Sequence, residues 1–143
     1  MKQRLLLIGC AFALLSGSAF SQCGSATNRL NQSELSAALS GKTVCATLGN
    51  DKWQEYHAPG GDLIDWKKGP SNPVDPTTKV GTWSISGAGN NAVINYSYSG
   101  GGTYSFAVYA NKQGNNFVAP FDFCGSSNVT NATLSSGQVG CGF

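Results

Sequence analysis

The segment Trp53-Gln54-Glu55-Tyr56-His57-Ala58-Pro59-Gly60-Gly61-Asp62-Leu63-Ile64-Asp65-Trp66 gathers the side chains best suited to chemistry. It holds two indoles, three carboxylates and the sole histidine of the chain. Read as a β-hairpin whose loop is Ala58-Pro59-Gly60-Gly61, it sets His57 opposite Asp62, Glu55 opposite Ile64 and Trp53 opposite Trp66. Period-two alternation then puts Trp53, Glu55, His57, Asp62, Ile64 and Trp66 on one face. Such a face predicts a ligand platform, with the indoles as stacking surfaces and Glu55, His57 and Asp62 as polar handles. The same pattern fits a paired-tryptophan core cluster with a charged rim, because aromatic pairs across strands also stabilise sheets.

Catalytic chemistry finds less support. A Ser-His-Asp arrangement needs a serine held against His57, and no nucleophile-elbow pattern is present. Glu55 and Asp65 have the residue types of a glycosidase pair, but the hairpin register just described places them on opposite faces. His57, Glu55 and Asp62 are three possible metal ligands without a diagnostic spacing, and no Cys-x-x-Cys occurs. The reading is a chain with no catalytic residues, no metal and no cofactor.

Two loops stand out. Ser99-Gly100-Gly101-Gly102-Thr103-Tyr104 joins two strand-like runs, and its glycines allow tight geometry and a close approach by a partner. The connector from Lys68 to Lys79 carries Pro70, Pro73 and Pro76, which predicts a stiff exposed loop of functional or purely connecting character.

The elements that position these residues are mostly strands. A short helix comes first: Asn31 and Glu34 have the spacing of a capping box, Leu35, Ala38 and Leu39 share one face, and Gly41 supplies the stop. Beyond Gly41 the β-rich runs are 42–48, 52–57, 62–67, 80–86, 92–98, 103–110, 116–123 and 129–135, separated by Gly-, Asn-, Asp- and Pro-rich connectors. Short connectors require antiparallel neighbours. The expectation is an all-β antiparallel meander of about eight strands, closed into a small barrel or curved sheet that hides its edges. Pro120 cannot donate to a ladder and marks an edge or a bulge. Trp83, Ile85, Val93 or Ile94, Phe106, Val108, Phe121 and Phe123 are the expected core.

The first residues predict export. Lys2 and Arg4 precede an apolar run from Leu5 to Leu15, and Ala19-Phe20-Ser21 fits a small-x-small cleavage site. Residues 1–21 are thus read as a signal peptide and 22–143 as one domain that begins at Gln22. The apolar run is shorter than the roughly 20 residues a membrane-spanning helix needs, so no membrane association is expected after cleavage. Leu7-Ile8-Gly9-Cys10 and Phe20-Ser21-Gln22-Cys23 offer a lipoprotein alternative, the former with almost no apolar stretch before it and the latter with unsuitable residues before the cysteine. Past the leader, seven basic residues balance seven acidic ones. A neutral chain without a basic stripe excludes nucleic acid as the expected partner. Cys23, Cys45, Cys124 and Cys141 remain, an even set that reads as two disulfides in an oxidising compartment, the periplasm or the exterior. Short separations favour Cys23–Cys45 with Cys124–Cys141; a meander that unites its first and last strands would instead pair across the ends.

Leu39-Ser40-Gly41-Lys42-Thr43-Val44-Cys45, Trp53-Gln54-Glu55-Tyr56-His57 with Gly60-Gly61, and Val80-Gly81-Thr82-Trp83-Ser84 form a layout running through the mature chain. This layout resembles small exported hypothetical proteins of proteobacteria with a lipocalin-like β-barrel, a domain of unknown function. The resemblance implies a bacterial exported barrel and no particular activity. More locally, the Ser99–Tyr104 run resembles the inhibitory loop of periplasmic C-type lysozyme inhibitors, small disulfide-bonded β-barrels of Gram-negative bacteria. The leading functional expectation is a non-catalytic module binding a small or extended ligand at Trp53, Glu55, His57, Asp62 and Trp66. The alternative is a protein-interaction or hydrolase-inhibitor domain acting through Ser99, Gly100, Gly101, Gly102 and Tyr104. The ligand or partner and the oligomeric state are left open.

Overall fold

The helix forms where its cap is encoded. In the computed structural model, which describes residues 21–65 and 78–143, α1 spans Gln32–Leu39 and its capping box is complete. The Asn31 side chain accepts from the Glu34 N–H at 3.0 Å, and the Glu34 carboxylate accepts from the Asn31 N–H at 2.7 Å. Burial raises the affinity of Glu34 for a proton, but Lys112, 2.7 Å away, and the Asn31 N–H outweigh it and hold the carboxyl below its usual range. Gly41 then turns the chain at φ +72° into the first strand.

Eight strands follow: β1 Lys42–Leu48, β2 Asp51–His57, β3 Asp62–Asp65, β4 Thr78–Ser86, β5 Val93–Tyr98, β6 Thr103–Gln113, β7 Asn116–Cys124 and β8 Val129–Ser136. Each pairs antiparallel with the next, and β1 pairs with β8 to close the barrel. The closed meander expected from the connectors is therefore the fold.

The β6–β7 hairpin is longer than its composition indicates. Gln113 pairs with Asn116, so Gly114-Asn115 makes a two-residue turn with Gly114 at φ +62°. Pro120 sits at a bulge, as expected: Ala110 pairs with Phe121 and Asn111 with Val118, leaving Ala119 and Pro120 outside the ladder.

Alternation along the strands sends Val44, Ala46, Leu63, Trp83, Ile94, Tyr96, Phe106, Val108, Phe121, Phe123 and Val129 into the core. At the Val93/Ile94 position Ile94 is the buried residue, while Ile85 is only partly buried. Leu35, Ala38 and Leu39 of α1, with Leu30 before it, join the same cluster and plug the end of the barrel where β1 begins. The opposite end, at the Leu48–Asp51, Tyr98–Thr103 and Cys124–Val129 turns, carries no such plug among the described residues.

The two disulfides are Cys23–Cys124 and Cys45–Cys141, with Cα–Cα distances of 5.8 and 5.7 Å. The short-separation pairing is thus overturned. Barrel closure brings β1 beside β8, and the segment after β8 runs back over β1 and β2, where the Cys141 N–H donates to the Gln54 side chain at 2.6 Å and the Thr43 hydroxyl donates to the Gly137 carbonyl at 2.6 Å. Topology rather than sequence separation selects the partners.

Candidate functional site

The β2–β3 hairpin determines which side chains enter the barrel. His57 pairs with Leu63, Tyr56 with Ile64 and Glu55 with Asp65. The loop therefore holds five residues, 58–62, closed by Ala58 N–H to the Asp62 carbonyl at 3.0 Å and Gly61 N–H to the Ala58 carbonyl at 2.9 Å. This corrects the expected register by one residue on β3, and a one-residue slip exchanges its two faces. Leu63 and Asp65 point inward and are buried, whereas Asp62 points outward and pairs with Lys79 at 2.7 Å. Asp62 is thereby removed from the candidate set. Glu55 and Asp65, expected on opposite faces, are direct cross-strand neighbours, 9 % and 7 % exposed. Trp66 lies outside the described residues, as does most of the proline connector.

His57 is also reassigned. It is fully buried between Trp83 and Tyr96, whose rings meet it edge-on at 5.3 and 5.5 Å. One ring nitrogen, Nδ1, lies 3.1 Å from the Glu55 carbonyl, and Nε2 lies 2.8 Å from the Tyr96 hydroxyl. The carbonyl can only accept, so Nδ1 carries the proton and Nε2 accepts from Tyr96. Burial pushes the imidazole down to about 4, against weaker support from backbone bonds at Glu55 and Lys42. This histidine is a neutral packing and hydrogen-bonding group beneath the site. Among the described residues no group of three His, Cys, Asp or Glu side chains could hold a metal ion.

At this opposite end the barrel holds a cavity of about 380 Å³. Its walls include Trp53, Glu55 and Lys52 from β2, Asp65 from β3, Tyr98 from β5, and Gly101 and Tyr104 from the glycine turn and β6. The two segments that looked like separate candidates, the tryptophan hairpin and the glycine loop, thus meet across one mouth. The Tyr98 hydroxyl donates to both Glu55 oxygens, at 2.8 and 3.0 Å. Burial, then the Glu55 charge and this hydrogen bond, then Asp65 and Tyr104, raise the phenol well above its usual range, so Tyr98 stays a neutral donor. Tyr104, 48 % exposed, stands edge-on to Tyr98 at 5.9 Å and lies against Gly102. A Cβ at Gly102 would meet the Tyr104 ring at 3.1 Å, and φ there is +105°, so glycine both turns the chain and seats the ring. Ser99 and Gly100 shape the turn, with the Ser99 N–H bonded to the Val80 carbonyl at 2.8 Å, without lining the cavity.

Tyr98 and Lys52 were not singled out by sequence. Tyr98 carries a usable signal: it continues the Ile94, Tyr96 alternation of a buried face. Asp65, weighed with Glu55 as a carboxylate pair, was set on the opposite face by the four-residue loop, and the five-residue loop brings the two together.

Comparison of the chain with models of protein families, with curated proteins and with solved structures finds no match in any of the three.

Proposed function

We propose that the chain is a non-catalytic binding module whose open barrel mouth takes a small ligand. The observation that carries this reading is the convergence of Trp53, Tyr98 and Tyr104 with the Glu55–Asp65 pair on one cavity of about 380 Å³. That volume lies within the range of about 300–1,000 Å³ usual for ligand pockets. Aromatic faces favour a flat or apolar body. Carboxylates only accept hydrogen bonds, so N–H or O–H donors are the ligand groups that suit this wall. The two disulfides support an oxidising compartment, in keeping with an exported protein of the periplasm or exterior.

Native mass spectrometry on protein purified from its own host, compared with the denatured mass, tests the reading. A releasable small molecule is expected, and Trp53→Ala or Tyr104→Ala should weaken its binding about tenfold, the scale of one lost aromatic contact. Undiminished binding in both variants would move the ligand elsewhere. A bare mass in every preparation would favour instead a protein partner engaging the exposed Tyr104 loop.

The pairing of Glu55 with Asp65 favours one second reading, acid–base chemistry on a ligand held at Trp53. Under it, a bound glycoside would be hydrolysed over time, and Glu55→Gln would stop turnover while sparing binding. A ligand that stays intact excludes it.

A further inference from the structure

Asp122 is 1 % exposed, yet among the described residues no Lys, Arg or His side chain bonds to it. Its neighbours Phe121 and Phe123 point into the core, so Asp122 points away from it and is covered by the N-terminal segment. At this point β8 bulges: Phe121 pairs with Ala132 and Phe123 with Val129, so Thr130 and Asn131 together oppose Asp122. Asn131 adopts φ +61°, the sole positive value at a non-glycine among the described residues, and its N–H donates to Asp122 Oδ1 at 2.9 Å. The other oxygen, Oδ2, accepts from the backbone nitrogen of Gln22 at 2.5 Å. A carboxylate taken out of water is costly without an opposite charge beside it.

Gln22 is fixed on three further counts. Its side-chain amide donates to the Pro120 carbonyl at 3.0 Å and accepts from the Asn28 amide at 2.7 Å. The next residue, Cys23, is joined to Cys124, two positions from Asp122. The sequence independently predicts cleavage between Ser21 and Gln22. We propose that Ser21–Gln22 is the processing site of this chain and that Asp122 is the built receptor for the amino group that processing releases. A leader peptidase adds water across the peptide bond. The hydroxyl goes to the Ser21 carbonyl carbon, a hydrogen goes to the Gln22 nitrogen, and that nitrogen takes up one further proton from solvent. An amide N–H becomes an α-ammonium at the same place, and the enclosed carboxylate gains its counter-charge. The arrangement also protects Gln22 from closing to a lactam with loss of ammonia. The amine is held protonated on Asp122, and the side-chain amide it would attack is held by Pro120 and Asn28.

The first test is intact mass and N-terminal sequencing of the chain exported through its own leader. The expected product begins at Gln22 with a free, uncyclised amino group; any other first residue, or a lactam, would overturn the proposal. The second uses cleavable fusions that release chains beginning at Ser21 or at Gln22. The Gln22 form is expected to melt at least about 4 °C above the Ser21 form, the scale of one partly buried charge pair in a domain of this size, and Asp122→Asn should erase the gap. Equal gaps with and without Asp122, or no gap, would refute the pairing. Should Asp122→Asn fail to fold, the pH dependence of the gap decides. A raised α-ammonium contributes fully below its unfolded value of about 8 and is lost as pH rises through the folded value. The gap must therefore shrink in alkali, and a pH-independent gap would overturn the assignment.

Discussion

Acid should weaken this protein through His57, and the size of the effect follows from its burial. The imidazole is neutral in the fold, with its proton affinity depressed to about 4, while in the unfolded chain it returns to an ordinary value near 6.5. Between those values the unfolded state binds the proton and the folded state does not, so stability falls as pH drops. The contribution is unaffected above about pH 6.5, is reduced by about 2 kcal/mol at pH 5 and by about 3 kcal/mol at pH 4, at 1.36 kcal/mol per unit of pKa. The carboxylates titrate across the lower part of the same window, so the informative quantity is a difference between two proteins. Urea unfolding at pH 7, 6, 5 and 4 should be measured for the wild type and for His57→Gln. The glutamine amide can still donate to the Glu55 carbonyl and accept from Tyr96. The variant is expected to lose stability at pH 7 but to be less acid-sensitive, by about 2–3 kcal/mol over that range. Parallel pH profiles for the two proteins would refute the assignment of His57 as a neutral buried group.

Two further outcomes are expected. A Cβ at Gly81 would sit 2.1 Å from the Ser97 carbonyl oxygen, backbone against backbone. Gly81→Ala should therefore cost at least about 2 kcal/mol and separate β4 from β5, read as a lowered melting temperature. Each disulfide closes a long stretch, with sequence separations of 101 and 96. Paired Cys→Ser replacement at either bridge should cost about 2–5 kcal/mol in chemical denaturation, and a bridge whose removal costs nothing would show that the ladder alone holds the termini.

The sequence was most readable where one local rule acted alone. Asn31 and Glu34 announce the helix because both halves of a capping box are encoded within four residues. The strands were legible because Gly, Asn and Pro clusters interrupt β-rich runs, and Pro120 could only occupy a break in the ladder. Reading failed where two local solutions were nearly equivalent. Ala58-Pro59-Gly60-Gly61-Asp62 can close as four residues or five, and the choice rests on Leu63, which the core takes in, and on Asp62, which Lys79 meets outside. Neither Lys79 nor the core is local to the hairpin. That single step decided whether Glu55 and Asp65 face each other, and so the composition of the mouth. The disulfides failed for a related reason, since their pairing depends on which strands closure brings together. His57 looked like a handle because imidazole chemistry is versatile; its position below Tyr96 shows only in three dimensions.

The joining of β1 to β8 has a consequence for how the molecule is made. A ribosome delivers β1 long before β8, so through most of synthesis the first strand has only β2 on one side, and Cys45 and Cys23 have no partner thiols within the emerged chain. β8 completes the ring, and Cys141 beyond it completes the bridge to Cys45. The nascent barrel is therefore an open ribbon with an adhesive edge until β8 arrives, and a chain truncated within β8 would stay open to edge-to-edge association. Closure, in such a topology, makes the protection of the first strand depend on the arrival of the eighth.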